Sequence, residues 1–196
     1  MGHSQAEKAR NRERILAEAS RQVRRGGLES VSVGTLMKSV GLTHGGFYGH
    51  FESRSALLAE ALERALLEGE ANAKARGSER PQSLSDIARS YLSRAHRDVR
   101  ESGCAMAALV SDVARADTSS REVMTDHIGA FVASVSKALG GDQEGAIVAV
   151  SAMVGALALS RVVADPARSD AFLKTVRDHL KQGWSPTVDA RRPIAV

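Results

Sequence analysis

Apolar residues recur three and four positions apart along most of the chain, the spacing that places them on one face of an α-helix. The first run predicts a helix over 7–25, with Ile15, Ala19 and Val23 buried, and Gly26-Gly27 ends it. Later runs predict further helices at 33–40, 43 to 50 or 51, 53–76, 84–100, 104–116, 118–139 and 143–164, and a last one after Pro166. Residues 185–196 are expected to form a flexible tail.

The second and third predicted helices are short, and Gly41 and Leu42 lie in the turn between them. A helix, a turn of three or four residues that contains glycine, and a second helix form the helix-turn-helix motif that binds DNA. We therefore expect an all-α protein: a three-helix helix-turn-helix domain over 1–54, and a larger helical domain for ligand binding and dimerisation over 55–184.

The segment 143–164 is apolar nearly all round and rich in alanine and glycine. A helix with this pattern is buried, and in a chain of this size a second copy is expected to cover part of it. Arg161 lies within this apolar helix, where it could pair with an acid, a ligand carboxylate or a carboxylate of the second copy. The residues predicted to form the dimer interface are Ile147, Val150, Val154, Leu157, Arg161, Phe172, Val176 and Leu180.

The net charge of +4 lies entirely in the first quarter of the chain. Residues 1–54 carry nine Lys and Arg side chains and five Asp and Glu, whereas the remaining residues balance. This asymmetry favours a polyanionic partner for the N-terminal segment, although solvated helix faces are often rich in arginine too. Because no apolar run looks long enough for a membrane, the N-terminus is charged and Cys104 is the single cysteine, we expect a cytoplasmic protein without membrane contact.

The segment Gly41-Leu42-Thr43-His44-Gly45-Gly46-Phe47-Tyr48-Gly49-His50-Phe51 is the most informative part of the sequence. Glycines weaken so short a helix. Their presence indicates that the backbone must approach another surface closely. Phe47 and Phe51 are four residues apart and are expected to face the core, whereas Tyr48 and His50 carry polar tips. A phosphate-binding glycine loop is the alternative, but neither of its two common motifs is present and no strand precedes the segment.

Residues 8–66 resemble the N-terminal domain of the TetR family of repressors. The resemblance rests on Arg14–Ala19, Gly26–Val33, Val40–Thr43 and Phe47–Leu58. It implies an entirely helical homodimer that binds double-stranded DNA, with a C-terminal domain that holds a pocket for a small-molecule effector.

By position, the resemblance implies that His44, Gly45, Gly46 and Gly49 face bases in the major groove. It implies that four more residues contact phosphates or position the recognition helix: Thr43, Tyr48, His50 and Arg54. Ser32, Gly34 and Lys38 would lie along the supporting helix. The family usually has Lys at the place of Arg54, and many members have larger contact residues at Gly34 and Gly49. Readout of the bases is therefore expected to depend more on backbone approach and DNA shape.

Cys104 follows Gly103 at the predicted start of a helix, where the helix dipole favours a thiolate. The segment Gly103–Leu109 resembles the N-ethylmaleimide repressor branch of the family, in which a cysteine senses electrophiles or oxidants. The alternative is a small buried side chain, the usual role of a single cysteine. The residues predicted to line an apolar ligand pocket are Tyr91, His96, Cys104, Met106, Met124, His127, Phe131 and Met153.

The sequence therefore predicts a ligand-responsive transcriptional regulator, a repressor that binds a pseudo-palindromic operator as a dimer and is released by a small molecule or by thiol modification. A helical adaptor protein and a helical enzyme are the alternatives. We predict no catalytic residues and no cofactor, since no nucleophile elbow, paired carboxylate motif or cofactor fingerprint is present. No metal is predicted either, because the histidines do not cluster with cysteine or acids.

Overall fold

In the computed structural model, the chain is described over residues 5–76, 83–99 and 104–182, and these residues form helices and turns without a strand. The predicted tail lies outside the described residues. The helices are α1 (Gln5–Gly26), α2 (Val33–Ser39), α3 (Arg54–Arg76), α4 (Leu84–Tyr91), α5 (Arg94–Asp98), α6 (Ala105–Val113), α7 (Thr118–Ala138), α8 (Gln143–Val162) and α9 (Pro166–Lys181). Two short 3₁₀ helices, Leu28–Ser30 and His44–Gly49, complete the N-terminal part. The predicted all-α fold is confirmed.

One core joins the N-terminal helices to the start of α3. Ile15 of α1, Leu36 and Met37 of α2, and Phe47 of the second 3₁₀ helix are fully buried in it. α3 packs along α1 and continues beyond it to α6 and α7. The predicted helix-turn-helix is therefore fixed to the rest of the chain through a long shared helix rather than a loose linker.

A second core lies among α4, α7, α8 and α9. Its fully buried members include Leu92, Val135, Met153 and Leu157. Four partly buried side chains pack against both cores: Cys104, which precedes α6, Ile128 and Phe131 of α7, and Val154 of α8. These side chains connect the second core to the N-terminal core.

The single helix predicted over 84–100 is wrong, because the chain breaks between α4 and α5. Leu92 leaves the helical conformation, with a ψ of 44°, and Ser93 begins α5 by accepting a hydrogen bond from the His96 amide (3.2 Å). A serine cap competes with a continuous helix because it satisfies the first free amides of a new one. The break turns the chain toward α8.

The expectation that no apolar run is long enough for a membrane is also wrong, since α8 alone among the described helices has the length and apolar composition to cross one. Between Glu144 and Arg161 the helix carries no charged residue. About 44% of its most apolar stretch is buried inside the chain, where it packs on α7 and α9. Core helices of this kind meet the same criterion, so the finding is weak evidence for a membrane span.

Candidate nucleic-acid interface and effector cavity

A tight turn links α2 to the 3₁₀ helix His44–Gly49, which we call the recognition helix. Gly41 adopts a φ of 71°, a conformation that costs glycine little and other residues more. The Leu42 amide donates to the Met37 carbonyl (2.8 Å), and Arg14 of α1 donates through Nη2 to the Val40 carbonyl (2.6 Å). The angle between the two helices is thus fixed by backbone hydrogen bonds and by one guanidinium.

Two aromatic side chains hold the recognition helix on the core. Phe47 is fully buried and stacks on Phe51, with ring centroids 5.7 Å apart. The guanidinium of Arg12 lies 4.6 Å from the Phe51 centroid and also pairs with Glu60 of α3 (2.6 Å). This packing agrees with the predicted inward positions of the two phenylalanines and leaves the opposite side of the helix facing solvent.

Most of the residues predicted to contact DNA are exposed. The exposed set is Ser32, Lys38, Thr43, His44, Gly45, Gly46, Tyr48 and Gly49, whereas Gly34, His50 and Arg54 are half-buried. Tyr48 is 69% exposed, a large fraction for an aromatic side chain. The exposed residues of α2 and the recognition helix are available to a groove without any rearrangement of the core.

Arg54 is engaged within its own chain. Its Nε donates to the Val31 carbonyl (3.1 Å), and its Nη2 donates to the Leu28 carbonyl (3.2 Å) and to the Glu29 carboxylate (3.3 Å). These bonds attach the start of α3 to the loop that precedes α2. Of the two roles expected for Arg54, this geometry favours positioning of the helix-turn-helix over direct contact with phosphate.

A cavity of about 360 Å³ lies among α3, α4, α5, α6 and α7. Six of the eight predicted ligand residues line it: Tyr91, His96, Cys104, Met106, His127 and Phe131. The other two, Met124 and Met153, are buried in the first and second cores respectively. The sequence thus identified six of the sixteen described residues that line the cavity, where the five helices meet.

The cavity wall is built around Tyr91. Its ring stacks on that of Phe131, with ring centroids 5.3 Å apart and an interplanar angle of 24°. It meets the His96 ring edge-on, with centroids 4.8 Å apart. Its hydroxyl is hydrogen-bonded to the Cys104 thiol (2.9 Å), and the Cys104 sulfur also accepts the Ala107 amide at the start of α6 (3.4 Å). Burial, and then the neighbouring Cys104, raise the pKa of Tyr91 well above its usual value, so the hydroxyl keeps its proton and can donate.

Several polar cavity residues were missed by the sequence analysis, among them Glu70, Ser90 and Ser134. Glu70 lies one helical turn after Leu66, a buried residue that also lines the cavity. That i, i+4 relation is visible in the sequence, but it does not distinguish a cavity rim from an exposed helix face.

The N-terminal segment matches a known family model. Residues 15–61 match the model of bacterial regulatory proteins of the tetR family. The chain therefore carries an N-terminal segment of the tetR-family type. No curated protein sequence matches the chain.

Several solved structures share the fold of this chain over nearly their whole length. The reduced form of NemR from E. coli superposes with a TM-score of 0.72 at 21% identity, over 88% of this chain and 96% of that one. A TetR-family regulator from Cytophaga hutchinsonii gives a TM-score of 0.74 at 18% identity, over 93% and 98% of the two chains. A TetR regulator from Chloroflexus aurantiacus gives a TM-score of 0.73 at 18% identity, over 90% of this chain and 97% of that one. At such identities these similarities establish the fold.

The residues predicted for the dimer interface divide into two groups, those buried within the single chain and those that are not. Val150, Leu157 and Leu180 are buried in the second core of the single chain. Ile147 and Phe172 are exposed, and Val154, Arg161 and Val176 are half-buried. Further exposed apolar side chains on α8 are those of Val148, Leu159 and Val162.

Arg161 binds the segment that forms one wall of the cavity. Its Nη2, Nε and Nη1 donate to the carbonyls of His96 (3.2 Å), Arg97 (3.3 Å) and Cys104 (3.4 Å). Among the described residues, no group of three or more His, Cys, Asp and Glu side chains is arranged to hold a metal ion.

Proposed function

We propose that the protein is a dimeric, cytoplasmic transcriptional regulator that binds a pseudo-palindromic DNA operator, and that a small molecule or thiol modification lowers its affinity for that operator. The exposed recognition helix, fixed by two buried phenylalanines within a tetR-family domain, is the observation that supports this proposal. Binding of one chain to each half-site gives the complex the two-fold symmetry of a pseudo-palindrome.

His44 and Tyr48 are the side chains we expect to carry most of the DNA contact on the recognition helix. Three of its six residues are glycines, and Phe47 is buried. Base readout then depends on few side chains, together with close backbone approach and groove shape. Lys38 and the excess of positive charge in residues 1–54 supply the attraction to phosphate that makes binding sensitive to salt.

The decisive experiment is selection of binding sites from random DNA with the full-length protein, followed by titration of the enriched site at several salt concentrations. We expect tight, sequence-selective binding that weakens steeply with salt, and a loss of at least about tenfold for His44→Ala or Tyr48→Phe. His179→Ala, an exposed histidine on α9, is the matched control and should bind like the wild type. Enrichment of no sequence, with weak binding to all DNA, would contradict the proposal.

Helix α6 supports a connection between the cavity and the DNA-binding part. Its first residues, Ala105 and Met106, line the cavity next to Cys104. Near its other end, Asp112 lies against Gly27, so closely that a Cβ on this glycine would overlap the carboxylate. A rigid helix that touches both regions can convert a change at the cavity into a shift of α1 and the loop before α2.

The thiol of Cys104 is the proposed site of chemical input. It lines the cavity, is half-buried and is hydrogen-bonded to Tyr91. Alkylation adds a bulky group to the sulfur and removes the hydrogen bond, which changes the wall at the start of α6.

Treatment with N-ethylmaleimide should therefore release wild-type protein from the selected operator and leave Cys104→Ser bound. Because this is the single cysteine, the variant controls for every thiol reaction. Continued DNA binding by fully alkylated wild type, checked by mass spectrometry, would exclude the thiol as an input and leave the DNA-binding proposal intact.

A further inference from the structure

The cavity combines an aromatic wall with soft and neutral polar groups. Tyr91 and Phe131 form a near-parallel pair, and two sulfur-containing residues, Cys104 and Met106, also line the cavity. The hydroxyls of Ser90 and Ser134 add neutral hydrogen-bonding groups. Stacked rings and polarisable sulfurs favour a flat π-system, and a volume of about 360 Å³ is in the range of pockets that bind small organic ligands.

The charges at the cavity favour an uncharged ligand over an anion. Glu70, an exposed carboxylate of α3, lies at its rim and interacts electrostatically with His127 of α7. Burial lowers the pKa of His127 below 6.5, and this effect exceeds the opposing effect of Glu70, so the imidazole is neutral at pH 7. A ligand carboxylate would meet a negative charge and a neutral imidazole.

A guanidinium that acts electrostatically on Tyr91 belongs to Arg161, which is not a lining residue of the cavity. Its three donor nitrogens are directed at the carbonyls of His96, Arg97 and Cys104. It contributes a favourable Coulombic interaction to an ionised Tyr91, but it is not among the cavity-lining residues. Among the described residues that line the cavity there is no Lys or Arg, whereas Glu70 places a carboxylate at its rim.

We propose that this cavity binds an uncharged, flat aromatic molecule of two or three fused rings that carries a hydroxyl or carbonyl group, and that it discriminates against the corresponding aromatic carboxylate through Glu70. The ring system packs on Phe131 and Tyr91, and its oxygen bonds to a serine hydroxyl or to the Tyr91–Cys104 pair. The proposal rests on the effector site of the proposed function and specifies the chemistry of that site.

The test uses two probes of nearly equal shape, 2-naphthol and 2-naphthoate, titrated calorimetrically into full-length protein near neutral pH. The neutral probe should bind at least about tenfold more tightly, the size expected for one unfavourable charge at a partly solvated site. Glu70→Gln should tighten 2-naphthoate severalfold with little change for 2-naphthol. Phe131→Leu should weaken both probes, with folding of each variant checked by its melting temperature.

Glu122→Gln is the matched control, since it removes one exposed carboxylate from α7 outside the cavity lining. It should leave the ratio of the two affinities unchanged. Equal or tighter binding of 2-naphthoate by the wild type, a ratio unaffected by Glu70→Gln, or no binding of either probe would overturn the proposal. DNA binding by the unliganded protein is measured separately, so the failure of this ligand class and the failure of the regulator function are distinguishable.

Discussion

At the scale of single residues, a chain of charges joins α1 to α3. Arg24, almost completely buried, pairs with Glu68, which also accepts a hydrogen bond from Arg64 Nε (2.8 Å). Arg64 in turn pairs with Glu13. Two nitrogens of Arg24, Nε and Nη1, are buried without a hydrogen-bond partner, so Glu68 carries much of the compensation for this buried charge. The junction between the two longest N-terminal helices thus depends on one carboxylate.

Glu68→Gln should lower the free energy of unfolding by about 1–3 kcal/mol at pH 7, because it leaves the Arg24 charge uncompensated. The lower end is favoured since the Glu68 side chain is 38% exposed and water screens the pair. Urea denaturation measures this difference. Glu122→Gln on α7 should be neutral.

The interaction of Glu68 with Arg24 and Arg64 makes the stability of the fold depend on pH. Burial alone would raise the pKa of Glu68, but hydrogen bonds from Arg64 and Arg24 lower it below its usual 4.5. A carboxyl whose pKa is lower in the folded state stabilises the fold above its unfolded value and loses this contribution as the pH falls through the lowered value. The stability difference between wild type and Glu68→Gln should therefore shrink below about pH 4.5. A constant difference down to the acid transition would contradict this.

Gly27 meets two constraints at once. Its φ of 83° is rarely adopted by other residues, and a Cβ there would overlap the Asp112 carboxylate. Gly27→Ala should therefore destabilise the fold by about 1–3 kcal/mol. Gly129→Ala, in open space on α7, should instead stabilise it by roughly 0.5–1 kcal/mol. In a double-mutant cycle, Asp112→Ala should rescue part of the loss, and strict additivity would show that the overlap is unimportant.

At the scale of elements, α8 supports the cavity wall through Arg161. The three carbonyls that it binds belong to α5, a helix of only five residues, and to the start of α6. So short a helix has little stability of its own, and partners from elsewhere must satisfy its terminal carbonyls. The shape of the cavity therefore depends on a helix that does not line it.

Arg161→Met should leave the fold intact and loosen this wall. Amide hydrogen exchange in residues 94–98 and 105–107 should accelerate about tenfold or more, because the carbonyls lose their donors, while exchange in α1 and α2 stays unchanged. Arg168→Met, an exposed arginine on α9, is the matched control. Equal exchange in both variants would show that α5 and α6 are held without the guanidinium.

At the scale of the whole molecule, an apolar stripe of α8 remains exposed on the single chain. Ile147, Leu159 and Val162 lie on it, and Phe172 of α9 is exposed as well. Exposed apolar surface of this kind favours burial against a second copy. It differs from the sequence-based set in that Val150, Leu157 and Leu180 face the inner core.

Leu159→Glu should convert the proposed dimer to a monomer and weaken binding to the proposed operator, since one chain then contacts one half-site. Leu159 is 52% exposed, so a glutamate there costs the single chain little. Leu67→Glu changes an equally exposed leucine (55%) on α3 and should remain dimeric. Light scattering coupled to gel filtration distinguishes the two, and an unchanged mass for Leu159→Glu would place the interface elsewhere.

The sequence by itself determined the elements that depend on local chemistry. Helical periodicity located nearly all helices, Gly26-Gly27 ended α1, and the pattern from Gly41 to Phe51 placed the recognition helix and its inward phenylalanines. Six of the eight residues predicted for a ligand pocket line the cavity, because polar and aromatic residues interrupted otherwise apolar faces. These features depend on residues within a few positions of one another, so they can be recognised in the sequence.

Only the tertiary structure decided which apolar face turns inward and which long side chain reaches across the fold. Because α8 is apolar on nearly all sides, the periodicity of its sequence could not distinguish Leu157, which is buried, from Leu159, which is exposed. It could not place Arg161 on the carbonyls of α5, which lie more than sixty residues earlier in the chain, nor Asp112 against Gly27. The physical reason is that such contacts depend on the three-dimensional packing of distant helices, and no local spacing encodes it.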